Sequence, residues 1–165
     1  MPISAKYLIR IVLAAGIAAG LCAALLFASS GQAAGGKTQT LRFFEKVVSL
    51  QVTKADGTVV RHPPFPESKA GDVLDIVSLE YTGNHAKHAK KASGTNHLRC
   101  TFVKAGPPDC VSHVAFGSSM LVFEGFPGKL VLGTGKYLGA TGRVLSNTTI
   151  GNTNDSDIVA RITLK

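Results

Sequence analysis

The chain has 165 residues and a formal charge of +8, enough for one ordinary domain. It has no Trp, and no aromatic side chain interleaves its basic cluster Lys87, Lys90 and Lys91, which excludes a dedicated nucleic-acid surface and leaves weak affinity for acidic surfaces. No GxSxG elbow, HExxH helix or paired CxxC is present, so the sequence carries none of the common hydrolase or structural-zinc signatures.

Lys6 and Arg10 precede an uncharged run from Ile11 to Ala34, and its exit contains the small-residue stretch Gly31-Gln-Ala33. A positive start, an apolar middle and a small-residue exit describe a secretory signal peptide over residues 1–33, cleaved after Ala33 or Ala34. The run is also long enough to cross a bilayer, so a retained anchor is the alternative, and the only membrane contact this reading allows. Cleavage removes Lys6, Arg10 and no acid, lowering the charge by two. Residues 34–40 read as a flexible lead-in, and 41–165 as the folded domain.

From Leu41 to Lys54 the pattern is that of a strand whose phase slips. Leu41 and Phe43 are apolar at odd positions, and Val48, Leu50 and Val52 at even ones. A bulge near Phe44–Val47 reconciles both halves with one buried face. Ala55-Asp-Gly57 is a hairpin turn, and Thr58–Arg61 its short return. Three prolines between His62 and Gly71 rule out a central strand there and leave a connector, or a loop folded over a barrel mouth.

Asp72–Thr82 is the next strand. Its odd positions, Val73, Val77, Leu79 and Tyr81, are apolar except for Asp75, while its even positions mix Leu74 and Ile76 with Ser78 and Glu80. Two part-apolar faces suit a barrel wall, and Asp75 then belongs either to the interior or to the rim. Between Gly83 and Asn96, His85 and His88 raise the question of a metal. Lys87, Lys90 and Lys91 surround them without an acid or a thiol, so a solvated basic loop is the better reading, with contact to an anion as a further alternative.

His97–Lys104 and Cys110–Phe116 alternate cleanly about the turn Ala105-Gly-Pro-Pro-Asp109. Cys22 leaves with the leader, so Cys100 and Cys110 remain as an even pair in an exported chain, placed for a disulfide across that hairpin. Met120–Glu124, Lys129–Leu132, Gly142–Ile150 and Ile158–Leu164 complete a set of short alternating strands. Turns at this spacing, without a helical period, describe an all-β barrel or sandwich.

Gly133-Thr-Gly-Lys-Tyr-Leu-Gly-Ala-Thr-Gly142 lies between two of these strands. Leu138 stands where GxGxxG needs its third glycine, and Tyr137 follows Lys136 where a Walker loop needs Ser or Thr, so a phosphate cradle gives way to a structural corner at Gly133, Gly135, Gly139 and Gly142. The segment resembles the Gly-Gly-Thr-Gly-x-Tyr/Phe-x-Gly-Ala-x-Gly stretch of allene oxide cyclases and dirigent proteins, with Leu132 in place of the first glycine. That resemblance implies a single antiparallel eight-stranded barrel whose interior receives a small apolar molecule. It also implies either a cofactor-free cyclase or isomerase, or a stereochemical guide for radical coupling. Glu45 is the only acid on the first strand, where the plant cyclases carry an acidic, proline-containing segment without a clear counterpart here.

Two functions therefore stand, and neither implies a cofactor or a metal. The first is an exported barrel binding a small hydrophobic ligand, and the second a cyclase or dirigent-type guide in the same cavity. Polar residues facing an open cavity favour the second, a purely apolar lining favours the first, and a filled interior leaves only a structural role. Asp75, Tyr81, His97, Arg99, His113 and Glu124, polar or amphipathic residues on otherwise apolar strands, are the candidate lining. Self-association is left open.

Overall fold

The computed structural model describes residues 36–61 and 68–165; the expected leader and the centre of the proline loop lie outside them. The chain forms strands β1 (Thr38–Thr53), β2 (Val59–Arg61), β3 (Val73–Asn84), β4 (Lys87–His88), β5 (Gly94–Thr101), β6 (Asp109–Phe116), β7 (Ser119–Glu124), β8 (Lys129–Gly133), β9 (Thr141–Thr149) and β10 (Ser156–Thr163). The helical content of the described residues is one 3-10 turn, Gly135–Tyr137. The strands run in the order β1-β10-β9-β8-β7-β6-β5-β3, and β3 pairs back onto β1, which closes an eight-stranded antiparallel barrel. β2 and β4 are short returns attached to β1 and β3.

Closure depends on the length of β1. Its first half, Thr38–Glu45, pairs with β10, and Phe43–Thr53 pairs with β3, so one strand joins both ends of the sheet. The register breaks between Val47 and Ser49, making Val48 the bulged residue, one position beyond the expected span. Asp155 accepts the Val47 N–H at 2.9 Å and holds the bulge. The extra residue turns Leu50 and Val52 inward alongside Phe43 and Glu45, so the phase slip in the sequence is the bulge itself. Thr38–Thr40, read as lead-in from the sequence, belong to β1.

Inward-facing side chains form rows across the strands. Ser78, Asn96, Val114, Leu121 and Gly133 are successive cross-strand partners, followed on the next row by Ile76, Leu98, Ser112, Phe123 and Leu130. The apolar core joins Val114, Leu121, Phe123, Leu130, Tyr137, Ala160 and Ile162. Leu121 and Ile162 are essentially inaccessible to solvent, each contributing about 1.5–3 kcal/mol by burial. The glycine segment is a structural corner, as its spacing indicates. Thr134 N–H donates to the Met120 carbonyl, Lys136 N–H to Ser119 Oγ, and the Tyr137 side chain is buried in the core.

Asp72 secures the start of β3. Its carboxylate accepts the Lys69 N–H at 3.0 Å, the Lys54 ammonium at 2.9 Å and the Ala55 N–H at 3.0 Å, tying the β1–β2 turn to the end of the proline loop. These donors, Lys69 N–H foremost and then Lys54, hold its pKa down at about 2. The lowered value means that the stabilisation is complete above the unfolded-state pKa of about 3.9 and is lost as pH falls through about 2. Asp72→Asn is expected to lower Tm by a few degrees at neutral pH and to flatten the acid limb of a Tm-against-pH curve. An unchanged acid limb would show that Asp72 does not carry it.

Candidate functional site

The even-numbered residues of β3 and β5 face inward, and this determines the chemistry of the interior. Leu74, Ile76 and Leu98 share that face with Ser78, Glu80 and Asn96, so the barrel encloses carboxyl, amide and hydroxyl groups along with hydrocarbon. Glu45 and Glu80 are direct partners across the β1–β3 ladder. The two residues are 5% and 1% exposed, close to complete burial for both acids.

The two carboxyls have different surroundings. Glu45 Oε1 accepts a 2.6 Å hydrogen bond from Ser78 Oγ and a 3.1 Å bond from Asn96 Nδ2. Ser112 Oγ in turn donates to Asn96 Oδ1 at 2.8 Å, fixing the amide with its nitrogen toward Glu45. Burial raises the Glu45 pKa, the bonds from Ser78 and Asn96 pull it part of the way back, and the Asp155 carboxylate adds a smaller push upward. Neither oxygen of Glu80 has a hydrogen-bond partner among the described residues. Burial, with the neighbouring Glu45 second, pushes its pKa up to about 9, so Glu80 is a neutral carboxylic acid at physiological pH. Glu45, with two donors, is the first of the pair to ionise.

Two spaces flank this polar layer. On the disulfide side a cavity of about 310 Å³ opens at the barrel end, walled by Val47, Leu74, Ile76, Leu98, Phe102, Pro108 and Phe126, with Glu45, Asn147 and Ser156 supplying polar atoms. Such a volume matches the lower end of small-molecule sites. On the other side Glu80, Asn96 and Ser112 face an inner chamber of about 40 Å³, lined otherwise by Phe43, Val114, Leu121, Phe123 and Ile158. That chamber is too small for an organic ligand without movement of its walls. Cys100 and Cys110 are cross-strand partners joined by a disulfide, and both line the larger cavity.

The residues expected to line the cavity are placed elsewhere. Asp75, His97 and Arg99 sit together on the outer face, with Asp75 Oδ1 3.3 Å from Arg99 Nη1 and 3.4 Å from His97 Nε2. His113 is the cross-strand neighbour of His97 and is likewise exposed. Tyr81 packs outside with Phe44 and His88, at ring separations of 6.1 and 5.1 Å. Glu124 ends β7 at an exposed rim beside Lys129. The physical reason is parity: the more apolar set of β3 side chains covers the outside, and the mixed set lines the inside. Glu45, Ser78, Glu80, Asn96 and Ser112 form a polar layer in the interior. The signal in the sequence for the last four was a shared parity with Leu74, Ile76, Leu98 and Cys110, and for Glu45 a shared face with Leu41 and Phe43.

His85 and His88 do not converge. His85 Nδ1 lies 2.6 Å from Asp157 Oδ2, which ties the β3–β4 hairpin to β10, while His88 stacks near Phe44. Among the described residues no helix is long and apolar enough to cross a membrane.

No protein family and no curated protein is matched by this sequence. Solved structures do resemble its fold. A pyocyanin demethylase superposes with a TM-score of 0.57 at 14% identity, covering 76% of this chain and 100% of its own. A pterocarpan synthase dirigent protein superposes at 0.55 with 17% identity, covering 78% of this chain and 89% of its own. At these identities the likeness is one of fold, and the chain folds as a barrel of the kind that dirigent proteins and pyocyanin demethylase share.

Proposed function

We propose that this is an exported barrel that binds a small, mostly hydrophobic molecule in the cavity above Glu45. The observation that carries the reading is a cavity of about 310 Å³ with hydrocarbon walls and a buried carboxyl at its floor. An apolar body gains from the walls, and one polar atom directed at Glu45 fixes its orientation. The Cys100–Cys110 disulfide supports a destination outside the reducing cytoplasm. Both structural neighbours are named for work on small organic molecules, a demethylation and a pterocarpan synthesis, which supports a ligand of that size.

One observation favours a second reading, cofactor-free isomerisation, cyclisation or stereochemical guidance in the same cavity. Two facing carboxyls whose environments separate their pKa values form an acid–base pair. Glu45 lines the cavity and can accept or return a proton there, while Glu80, its cross-strand partner on the inner chamber, keeps its proton as the neutral member.

Native mass spectrometry of the full chain produced for export tests the first reading. The expected spectrum shows a co-purified apolar molecule, absent from Leu98→Trp, which fills the cavity. A protein that is empty and takes up nothing from a lipid and polyketide panel would overturn it. Glu45→Gln separates the two readings, since it keeps the shape but removes the ionisable group. Binding retained with turnover lost indicates proton chemistry, whereas binding retained with no turnover in either protein indicates a carrier.

A further inference from the structure

We propose that the glycine-corner end of the barrel carries a second binding site, for a planar aromatic anion such as an aromatic carboxylate or phenolate. The site does not depend on the ligand assigned to the cavity at the disulfide end. It is built where the wall is incomplete. Along Thr38–Arg42 the strand β1 pairs with β10 on one edge, while its pairing with β3 begins only at Phe43, which leaves a notch beside β1. An open pocket of about 410 Å³ occupies that notch.

Three aromatic rings give the pocket its shape. Phe43 stacks on Phe116 with centroids 5.2 Å apart, and Phe116 meets Tyr137 edge-on at 5.9 Å, so one stacked and one edge-on ring pair border the space. A flat ring inserted here finds the offset and edge contacts that aromatic pairs prefer. Saturated chains of equal volume would leave those faces poorly filled.

Charge selects among flat molecules. Arg42 and Lys136 both line the pocket, no carboxylate does, and neither cation has an acidic partner within 4 Å among the described residues. The Lys136 ammonium is 4.9 Å from the centre of the Tyr137 ring, close to where an occupant's edge would lie. Gln39, Thr40, Thr82 and Ser93 add neutral polar groups and no acid. The contrast with the other end, where Glu45 faces the cavity, is one of sign. An anion entering at the glycine corner gains charge-assisted bonds, and a cation gains none. Phe43 also lines the inner chamber, so its ring forms the partition between this pocket and the Glu80 side.

The test uses 2-naphthoate and its uncharged counterpart 2-naphthamide, titrated into the full chain with its disulfide intact. Binding is followed by calorimetry and by the amide signals of Arg42, Lys136 and Tyr137. Naphthoate is expected to bind about tenfold more tightly than the amide, and to weaken as salt is added. The double variant Arg42→Gln with Lys136→Gln, both at exposed positions, is expected to lose about tenfold in naphthoate affinity while leaving the amide unchanged. Leu98→Trp, which blocks the opposite cavity, is expected to change neither. Equal affinity for acid and amide, an unaffected double variant, or no naphthoate binding at millimolar concentration would each overturn the proposal. Loss of naphthoate binding in Leu98→Trp alone would also overturn it, and would leave the cavity at the disulfide end standing as the only site.

Discussion

Replacing Glu80 with leucine is expected to stabilise the barrel by about 1–3 kcal/mol near neutral pH, because it removes a buried polar group that satisfies no hydrogen bond. Leucine is close in volume and meets an apolar chamber formed by Phe43, Val114, Leu121 and Ile158. The effect carries a pH signature. Below about 4.5 both folded and unfolded chains hold the Glu80 proton, and between there and about 9 only the folded chain does. The folded state thus binds more protons across that window, and wild-type stability falls as pH rises through it. Glu45, whose pKa is also raised, contributes in the same direction. Glu80→Leu should therefore flatten most of the slope and leave a remainder due to Glu45. Urea midpoints from pH 4 to pH 9 measure this directly. A destabilised Glu80→Leu, or an unchanged slope, would mean that the carboxyl is satisfied and charged in solution, and would remove the acid member of the proposed pair. A stabilised variant that loses turnover or ligand would show that stability is given up here for function.

Gly133→Ala is expected to cost about 3–4 kcal/mol, among the largest effects of adding a single methyl group to this chain. Gly133 follows Leu132 into the corner, and a Cβ there would overlap the Tyr137 carbonyl oxygen and crowd the Tyr137 Cβ at 3.2 Å. Tyr137 cannot retreat, because its ring is buried against Phe116 and the core. Gly139, in the same corner at φ +72, meets only the flexible end of Lys165, so Gly139→Ala carries backbone strain alone, about 1–2 kcal/mol. Denaturant midpoints of the two variants separate steric overlap from backbone strain. Equal losses would show that the corner relaxes freely, contrary to a rigid approach of Gly133 to Tyr137.

Much of the architecture was legible in the residues. Alternation located the barrel strands to within a few positions, the phase slip in the first strand announced the bulge now seen at Val48, and the spacing of Cys100 and Cys110 announced their pairing across a hairpin. The glycine segment read correctly as a corner because close backbone approach excludes side chains whatever the surrounding fold. The β4 return within the basic loop was not legible, since Lys87 and His88 carry no alternation that distinguishes them from solvated turn residues.

What the sequence determined by itself was periodicity: where strands run, where they turn, and which residues share a face. Which of two faces is the inside was decided by tertiary structure alone. In β3 both faces are part-apolar, and Val77, Leu79 and Tyr81 look more like a core than Ser78 and Glu80 do. Ring closure of β3 onto β1 turned the even face inward, bringing Glu80 opposite Glu45 and Asn96 within hydrogen-bond distance of Glu45. The separation of the carboxyl pKa values and the sign difference between the two barrel ends arise from that closure, because burial and neighbouring charge exist only once distant strands meet.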